Sequence, residues 1–295
     1  MDAPMKLFRR LARSAILALG LLALPALASP ALWVAHNGQS TLYLFGTVHL
    51  LPGHTEWRSM ALEKALARSG TLYIEITDDS PAHMQGLVLK YGVDFQHTLS
   101  SQLDAADRQR LKQAVADADP PGGMAVLEHM RPWLAGLTLT VAPLLKAGID
   151  PDSGVDKQLK KQFQTAGKPV KGLETSEQQI RFFANMPHPL QLKFLHGVLK
   201  DYASVRKDLA QLVTAWEKGE VSAIARLADL KMRKQSPALY RRLIVERNRR
   251  WGVQLKKVMQ TPGVYFVAVG AAHLAGPDSV QKQLATEGID SQRIQ

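Results

Sequence analysis

The chain has 295 residues, 46% of them hydrophobic and 21% charged, a globular balance with ample length to bury a core. It contains no cysteine, which excludes disulfides and thiolate metal sites, so any metal must be held by histidine, carboxylate and water. The formal charge is +11 at pH 7, but the basic residues (Lys160-Lys161, Arg241-Arg242, Arg247 to Arg250) are scattered over helical sequence without interleaved aromatics, which points to a solvated basic surface and no nucleic-acid partner.

In chain order, residues 1–28 read as an export signal. Lys6, Arg9, Arg10 and Arg13 form a basic n-region, Ala15 to Leu24 is an apolar run, and Ala26-Leu27-Ala28 supplies the small-x-small pattern that puts cleavage after Ala28. The run is too short for an ordinary membrane span. The expected location is periplasmic or secreted, with no stable membrane span after cleavage. Residues 1–28 carry four basic groups and one acidic group, so their removal lowers the charge from +11 to +8.

Ala31 to Ala35 and Thr41 to Phe45 flank Asn37-Gly38, the signature of a hairpin with a type I′ turn. The second strand leads into Gly46-Thr47-Val48-His49. A helix is expected over Glu56 to Arg68, then a strand over Thr71 to Ile76 with Glu75 inside it. Pro81 to Ala147 reads as mostly helical, broken at Asp119 to Gly123 and interrupted at Pro132. A helix follows from Asp152 to Thr165, and a strand from Val170 to Leu173 ends at Glu174-Thr175. Ser176 is placed to cap the next helix. Pro189 to Gln260 holds three or more helices, broken at Gly219 and Ser236-Pro237. Gly263 to Val269 is the most apolar strand and ends in Gly270-Ala271-Ala272-His273; a helix from about Pro277 to Glu287 and a strand from Asp290 to Ile294 close the chain. The expected fold is α/β: a central mixed β-sheet with strands from both ends of the chain, flanking helices, and a helical insert over about 80–165 and 189–260 of the 29–295 domain.

Both Gly-x-x-His units sit at the ends of apolar strands, where α/β sheets place ligands. His49, His273 and Glu75, with Glu174, offer two imidazoles and carboxylates, a donor set suited to a divalent metal with an open water position. A carboxylate flanked by isoleucines is costly to bury unless paired or metal-bound. The alternative for each histidine is a hydrogen-bonded core residue, and for Glu75 a salt bridge. His54 reads as a loop residue, and His36, His83, His97, His129, His188 and His196 show no metal spacing. No His-Glu-x-x-His, Gly-x-Ser-x-Gly or phosphate-cradling glycine loop is present.

Taken together, the hairpin into Gly46-Thr47-Val48-His49 with Leu50-Leu51-Pro52, Glu75, Arg131-Pro132-Trp133, Gly154-Val155-Asp156, Leu173-Glu174-Thr175 with Gln178, Glu246-Arg247-Asn248 and Val269 to Leu274 with Gly276 resemble the TraB/PrgY/GumN family across about residues 31–295. Its TIKI-like members are similar to metal-dependent proteases using manganese or cobalt, and the wider superfamily includes haem-binding lipoproteins of the ChaN type and erythromycin esterases. The resemblance implies a hydrolase in which His49, Glu75 and His273 bind a divalent metal (manganese or cobalt, with zinc as an alternative). It implies catalytic roles for Glu174, Arg247 and Asn248: Glu174 as a further ligand or general base, Arg247 or Asn248 as oxyanion donors. The expected substrate is a peptide or small molecule of unspecified identity. Two other readings stay open: a haem or anionic-ligand protein using the same cleft, and a metal-free esterase with His49 as general base and Glu75 orienting it.

Overall fold

A computed structural model describes residues 29–295 apart from His54; the export-signal reading and His54 therefore lie outside the described residues. Strands β1 (Leu32–Asn37) and β2 (Ser40–Thr47) form the opening hairpin. Asn37 pairs with Ser40 across a two-residue loop, and only Gly38 has positive φ, at 59°. The turn is therefore glycine-first, Gly38-Gln39, in place of the expected Asn37-Gly38 type I′ turn.

Helix α1 (Met60–Arg68) starts four residues later than its apolar spacing suggests, because Ser59 caps it by accepting from the Leu62 N–H. Strand β3 (Thr71–Ile74) stops one residue short of Glu75, so that glutamate lies just past the strand. Next come α2 (Pro81–Gly92), α3 (Ala105–Ala118), α4 (Gly123–Leu127) and α5 (Pro132–Lys146), where Pro132 opens a helix as its fixed φ permits. Helix α6 (Val155–Thr165) is followed by strand β4 (Val170–Gly172). Helix α7 (Ser176–Ala184) is capped by Thr175, not Ser176: Thr175 and Gln178 form a reciprocal capping box, while Ser176 bonds Asp78.

Helices α8 (His188–Asp201) and α9 (Val205–Glu217) lead to two long helical rods. The first joins α10 (Val221–Ile224) to α11 (Lys231–Gln235) through a π-helical segment, Ala225–Leu230. The second joins α12 (Pro237–Tyr240) to α13 (Glu246–Val258) through another, Arg241–Val245. Strand β5 (Gly263–Gly270), a 3₁₀ turn at Ala271–Leu274, helix α14 (Val280–Thr286) and strand β6 (Ser291–Arg293) complete the chain.

The six strands make one mixed sheet in the order β4-β3-β5-β2-β1-β6. β4, β3, β5 and β2 run parallel, and β1 is antiparallel to β2 and β6. The central strands are buried on both faces, which explains their near-continuous apolar sequence. Phe45, Leu72, Ile74 and Phe266 face one layer, packed with Leu66 of α1, Phe163 of α6 and Trp216 of α9. Leu42, Leu44, Val267 and Val269 face the other, packed with Trp251 and Leu255 of α13 and Leu284 of α14. Away from the sheet, Leu111, Leu139 and Leu195 centre a core built mainly from helices. A fourth cluster, including Trp133, Ile180 and Leu239, bridges α5, α7 and α12.

Candidate active site

Parallel pairing brings the chemistry-bearing residues to one edge of the sheet. β2 and β5 are direct neighbours, with Thr47 opposite Gly270, so both Gly-x-x-His units leave the sheet side by side. The β3–β4 ladder continues for one bond past both strands, from the Glu174 N–H to the Glu75 carbonyl at 2.9 Å, which sets the two glutamates next to each other. The four residues singled out by sequence thus meet at the carboxyl ends of four parallel strands.

Glu75 is the hub. Its Oε1 accepts from the Gly270 N–H at 2.8 Å and lies 3.8 Å from His49 Nε2 and 4.0 Å from His273 Nε2. Its Oε2 accepts from Arg247 Nη2 at 2.5 Å and Gln179 Nε2 at 2.9 Å. Burial alone would raise this carboxyl. The positive charge of Arg247, the neighbouring histidines and the Gly270 N–H overcome that and hold it far below the usual carboxylate range.

Each imidazole has its Nδ1 committed to a fixed partner and its Nε2 turned toward Glu75. His273 Nδ1 donates to Asn248 Oδ1 at 2.6 Å, and Asn248 is itself anchored by donating to the Asp278 carbonyl at 2.7 Å. The Nδ1–H tautomer follows, leaving the Nε2 lone pair to accept from Arg247 Nη1 at 3.0 Å. Burial and the Arg247 charge push His273 down to about 3, so this ring is neutral.

His49, whose side chain is 56% exposed, places Nδ1 3.0 Å from Asp156 Oδ1. Desolvation works against its charge, but the Asp156 hydrogen bond and the Glu75 and Asp156 carboxylates lift it to about 9. The Gly154-Val155-Asp156 element acquires a physical meaning here. A Cβ at Gly154 would stand 2.5 Å from the His49 carbonyl oxygen, and the Val155 N–H donates to the Val48 carbonyl at 3.0 Å. Only glycine lets α6 dock this closely and bring Asp156 under the imidazole.

Arg247 lies beneath these groups, buried between two carboxylates. Nη2 bonds Glu75 and, very closely, Glu174; Nε donates to Glu174 Oε2 at 3.3 Å. The guanidinium also packs 4.7 Å from the Trp251 ring centre. Both oxygens of Glu174 are taken, Oε1 also by Gln179 Nε2 at 2.9 Å. Burial raises its pKa, against the pull of Arg247. Glu174 therefore clamps Arg247 and does not face the cleft. Asn248 positions His273 and does not point at a substrate. Sequence reasoning missed Asp156 as the partner of His49, and Gln179 as the amide bridging the two glutamates; Gln178, the neighbour it noted, serves the cap of α7.

The cleft over His49 has a volume of about 310 Å³ and is lined by Ile74, Ile76, Asp79, Lys157 and Lys160 besides the site residues. Lys160 is held by Asp79 at 2.5 Å and the Thr77 carbonyl at 3.0 Å.

His49, Glu75 and His273 are of the donor types that divalent metals use, and both imidazoles have outer partners on Nδ1, but among the described residues no three such side chains stand close enough together to form a ready metal site. These three residues surround the missing side chain of Gly270, where a Cβ would meet Glu75 Oε1 at 3.2 Å and His49 Nε2 at 3.4 Å.

A profile of the TraB/PrgY/gumN family matches residues 31–293. The chain is 24% identical over 260 residues to the uncharacterized protein YbaP of Escherichia coli (strain K12), covering 86% of this chain and 92% of that one. It is 29% identical over 153 residues to YbaP of Shigella flexneri, covering 52% and 55%. An uncharacterized protein of Treponema pallidum (strain Nichols) is 20% identical over 263 residues, covering 84% and 78%. No solved structure matches this chain.

Proposed function

Because the chain belongs to the TraB/PrgY/gumN family, and its two strand-end histidines converge with Glu75, we propose that it is a metal-dependent hydrolase acting on peptide bonds. The carrying observation is the paired orientation of the imidazoles, each with Nδ1 fixed, by Asp156 or Asn248, and Nε2 turned to Glu75 Oε1. His49, Glu75 and His273 hold the ion, manganese or cobalt, with zinc as the alternative. When bound, such an ion activates a water and polarises a carbonyl. Asp156 and Asn248 orient the rings. Arg247, balanced by Glu174, neutralises the second oxygen of Glu75 and keeps that carboxylate ionised. The cleft walls, Ile74 and Ile76 against Lys157 and Lys160, receive the substrate.

The Asp156–His49 pair also favours a second reading, metal-free ester hydrolysis with His49 as base. In this reading Asp156, not Glu75, orients the ring. The raised pKa of His49 weighs against it, since an imidazolium lacks the lone pair a base needs, whereas a metal ion competes with that proton for the ring nitrogen. A haem reading finds little apolar wall at this cleft beyond Ile74 and Ile76.

The test is metal content and peptidase activity of the full chain beside a His49→Ala/His273→Ala double variant, each loaded in turn with manganese, cobalt and zinc. The expected result is near-stoichiometric metal and chelator-sensitive cleavage of a peptide library by the unaltered protein alone. Absence of bound metal, or hydrolysis that survives chelation, overturns the proposal; the latter outcome supports the esterase.

A further inference from the structure

A separate cavity of about 490 Å³ is lined by none of the residues of the strand-end site. It lies where three cores meet without filling the seam. Leu209 and Leu227 belong to the fringe of the sheet-side core, Val198 to that of the helical core, and Phe194 and Met232 to that of the bridging cluster. All five line the cavity, with Leu144. Gly197, on α8, opens onto it: a Cβ there would meet nothing within 4 Å. The volume is within the usual range for small-molecule sites.

The mouth is charged, and its charges are not balanced internally. Asp201 and Asp208 are both paired with Lys231, at 3.3 and 2.6 Å. Lys193 and Arg226 also line the cavity and have no hydrogen-bond or ion-pair partner among the described residues. A wholly polar ligand would leave the apolar wall unmatched, and a wholly apolar one would leave the two cations unmatched. Arg226 and Leu227 come from the π-helical segment, whose wide turn presents cation and apolar wall together.

From this we infer that the seam binds a single-chain amphiphile with an anionic head group, of the class of a long-chain fatty carboxylate, its chain along Leu144, Phe194 and Leu227 and its carboxylate at Lys193 and Arg226. The ligand is held non-covalently, independently of the strand-end site.

The test titrates the full chain with the fluorescent fatty acid cis-parinaric acid below its critical micelle concentration. Saturable binding at one equivalent is expected, displaced by palmitate and more weakly by hexadecanol. Affinity for saturated carboxylates should rise about four-fold per added methylene until the seam is full. Gly197→Leu should abolish binding with helicity and thermal midpoint maintained. Lys193→Gln and Arg226→Gln should each weaken the carboxylate about 2- to 5-fold and leave the alcohol unchanged. His49→Ala should bind as the unaltered chain does. No saturable binding, binding undiminished in a folded Gly197→Leu variant, or binding lost in His49→Ala overturns the inference. Should Gly197→Leu fail to fold, the chain-length series on the unaltered protein decides: affinity indifferent to length overturns it and the four-fold rise supports it.

Discussion

Single atoms decide the chemistry of the strand-end site. A Cβ on Gly270 would press on Glu75 Oε1 at 3.2 Å and His49 Nε2 at 3.4 Å, both proposed metal donors. Gly270→Ala is therefore expected to lower metal affinity and hydrolysis about 10-fold or more, because small displacements of reacting groups are costly, while circular dichroism stays native. An alanine variant that binds metal normally would show that the donors do not converge over this glycine. Arg247 poses the opposite problem. It lies between Glu75 and Glu174, and Arg247→Met leaves two buried carboxylates facing each other. A loss of about 3–5 kcal/mol in denaturant unfolding of the metal-free protein is expected. Part of that loss should return on adding manganese, since the ion then meets an uncompensated Glu75 and an unoccupied His273 Nε2; a variant indifferent to manganese would remove the ion from this position. The two histidines were legible in the sequence because each follows a glycine by three residues after an apolar strand, and Glu75 because a carboxylate between two isoleucines asks for a partner. Asp156 was not legible as a partner, since it reaches His49 across 107 residues through the docking of another element.

At the level of elements, the π-helical segments place side chains that no regular periodicity would. One extra residue per turn shifts the register of everything after it, and the apolar pattern alone does not reveal the shift. Arg247 and Asn248 follow one such segment directly, and Asp229 is inside the other. Asp229 is 1% exposed, and neither of its oxygens has a hydrogen-bond partner among the described residues. Burial, with the nearby Asp278 carboxylate, pushes it up from its usual 3.8 to about 7. An acid raised in this way contributes stability below about pH 4 that is lost as pH climbs to about 7, because the unfolded chain releases its proton first. Stability of the unaltered protein should thus fall relative to Asp229→Asn across that window, by at most about 1.4 kcal/mol per pH unit, and run parallel to it above. Comparing the two proteins separates Asp229 from His49 and His273, which titrate in both. Parallel unfolding curves from pH 4 to 7 would mean that Asp229 is ionised throughout. Element existence and order were readable from apolar runs and breakers, but ends were set by side-chain bonds: Ser59 delays α1, and Thr175 displaces Ser176 as a cap.

For the molecule as a whole, the sequence showed that strands from both ends of the chain share a sheet, but not their order, which depends on packing between distant segments. The observed order puts β1 between β2 and β6, so the last residues shield the hairpin that carries His49. Trp33, Val34 and Ala35 pair with Arg293, Gln292 and Ser291, the Ile294 N–H donates to the Leu32 carbonyl at 2.8 Å, and Arg293 Nη2 reaches the Gly219 carbonyl at 2.8 Å. Removing residues 290–295 would bare an apolar strand edge of sequence LWVAHN, a template for pairing with another copy. Each lost bond is worth about 0.5–1.5 kcal/mol, so the truncated chain should melt several degrees lower without unfolding outright. It should also form concentration-dependent oligomers on gel filtration, which a lysine placed at Val34 on the bared edge should suppress. Metal binding by the truncated monomer at low concentration should stay near that of the full chain, because β5 and β3, on the far side of β2, hold Glu75 and His273. A truncated chain that stays monomeric at every concentration would mean that β6 only decorates the sheet. Loss of metal binding in the folded monomer would mean that the hairpin's outer edge helps to fix His49, so that the two ends of the chain act on the site together.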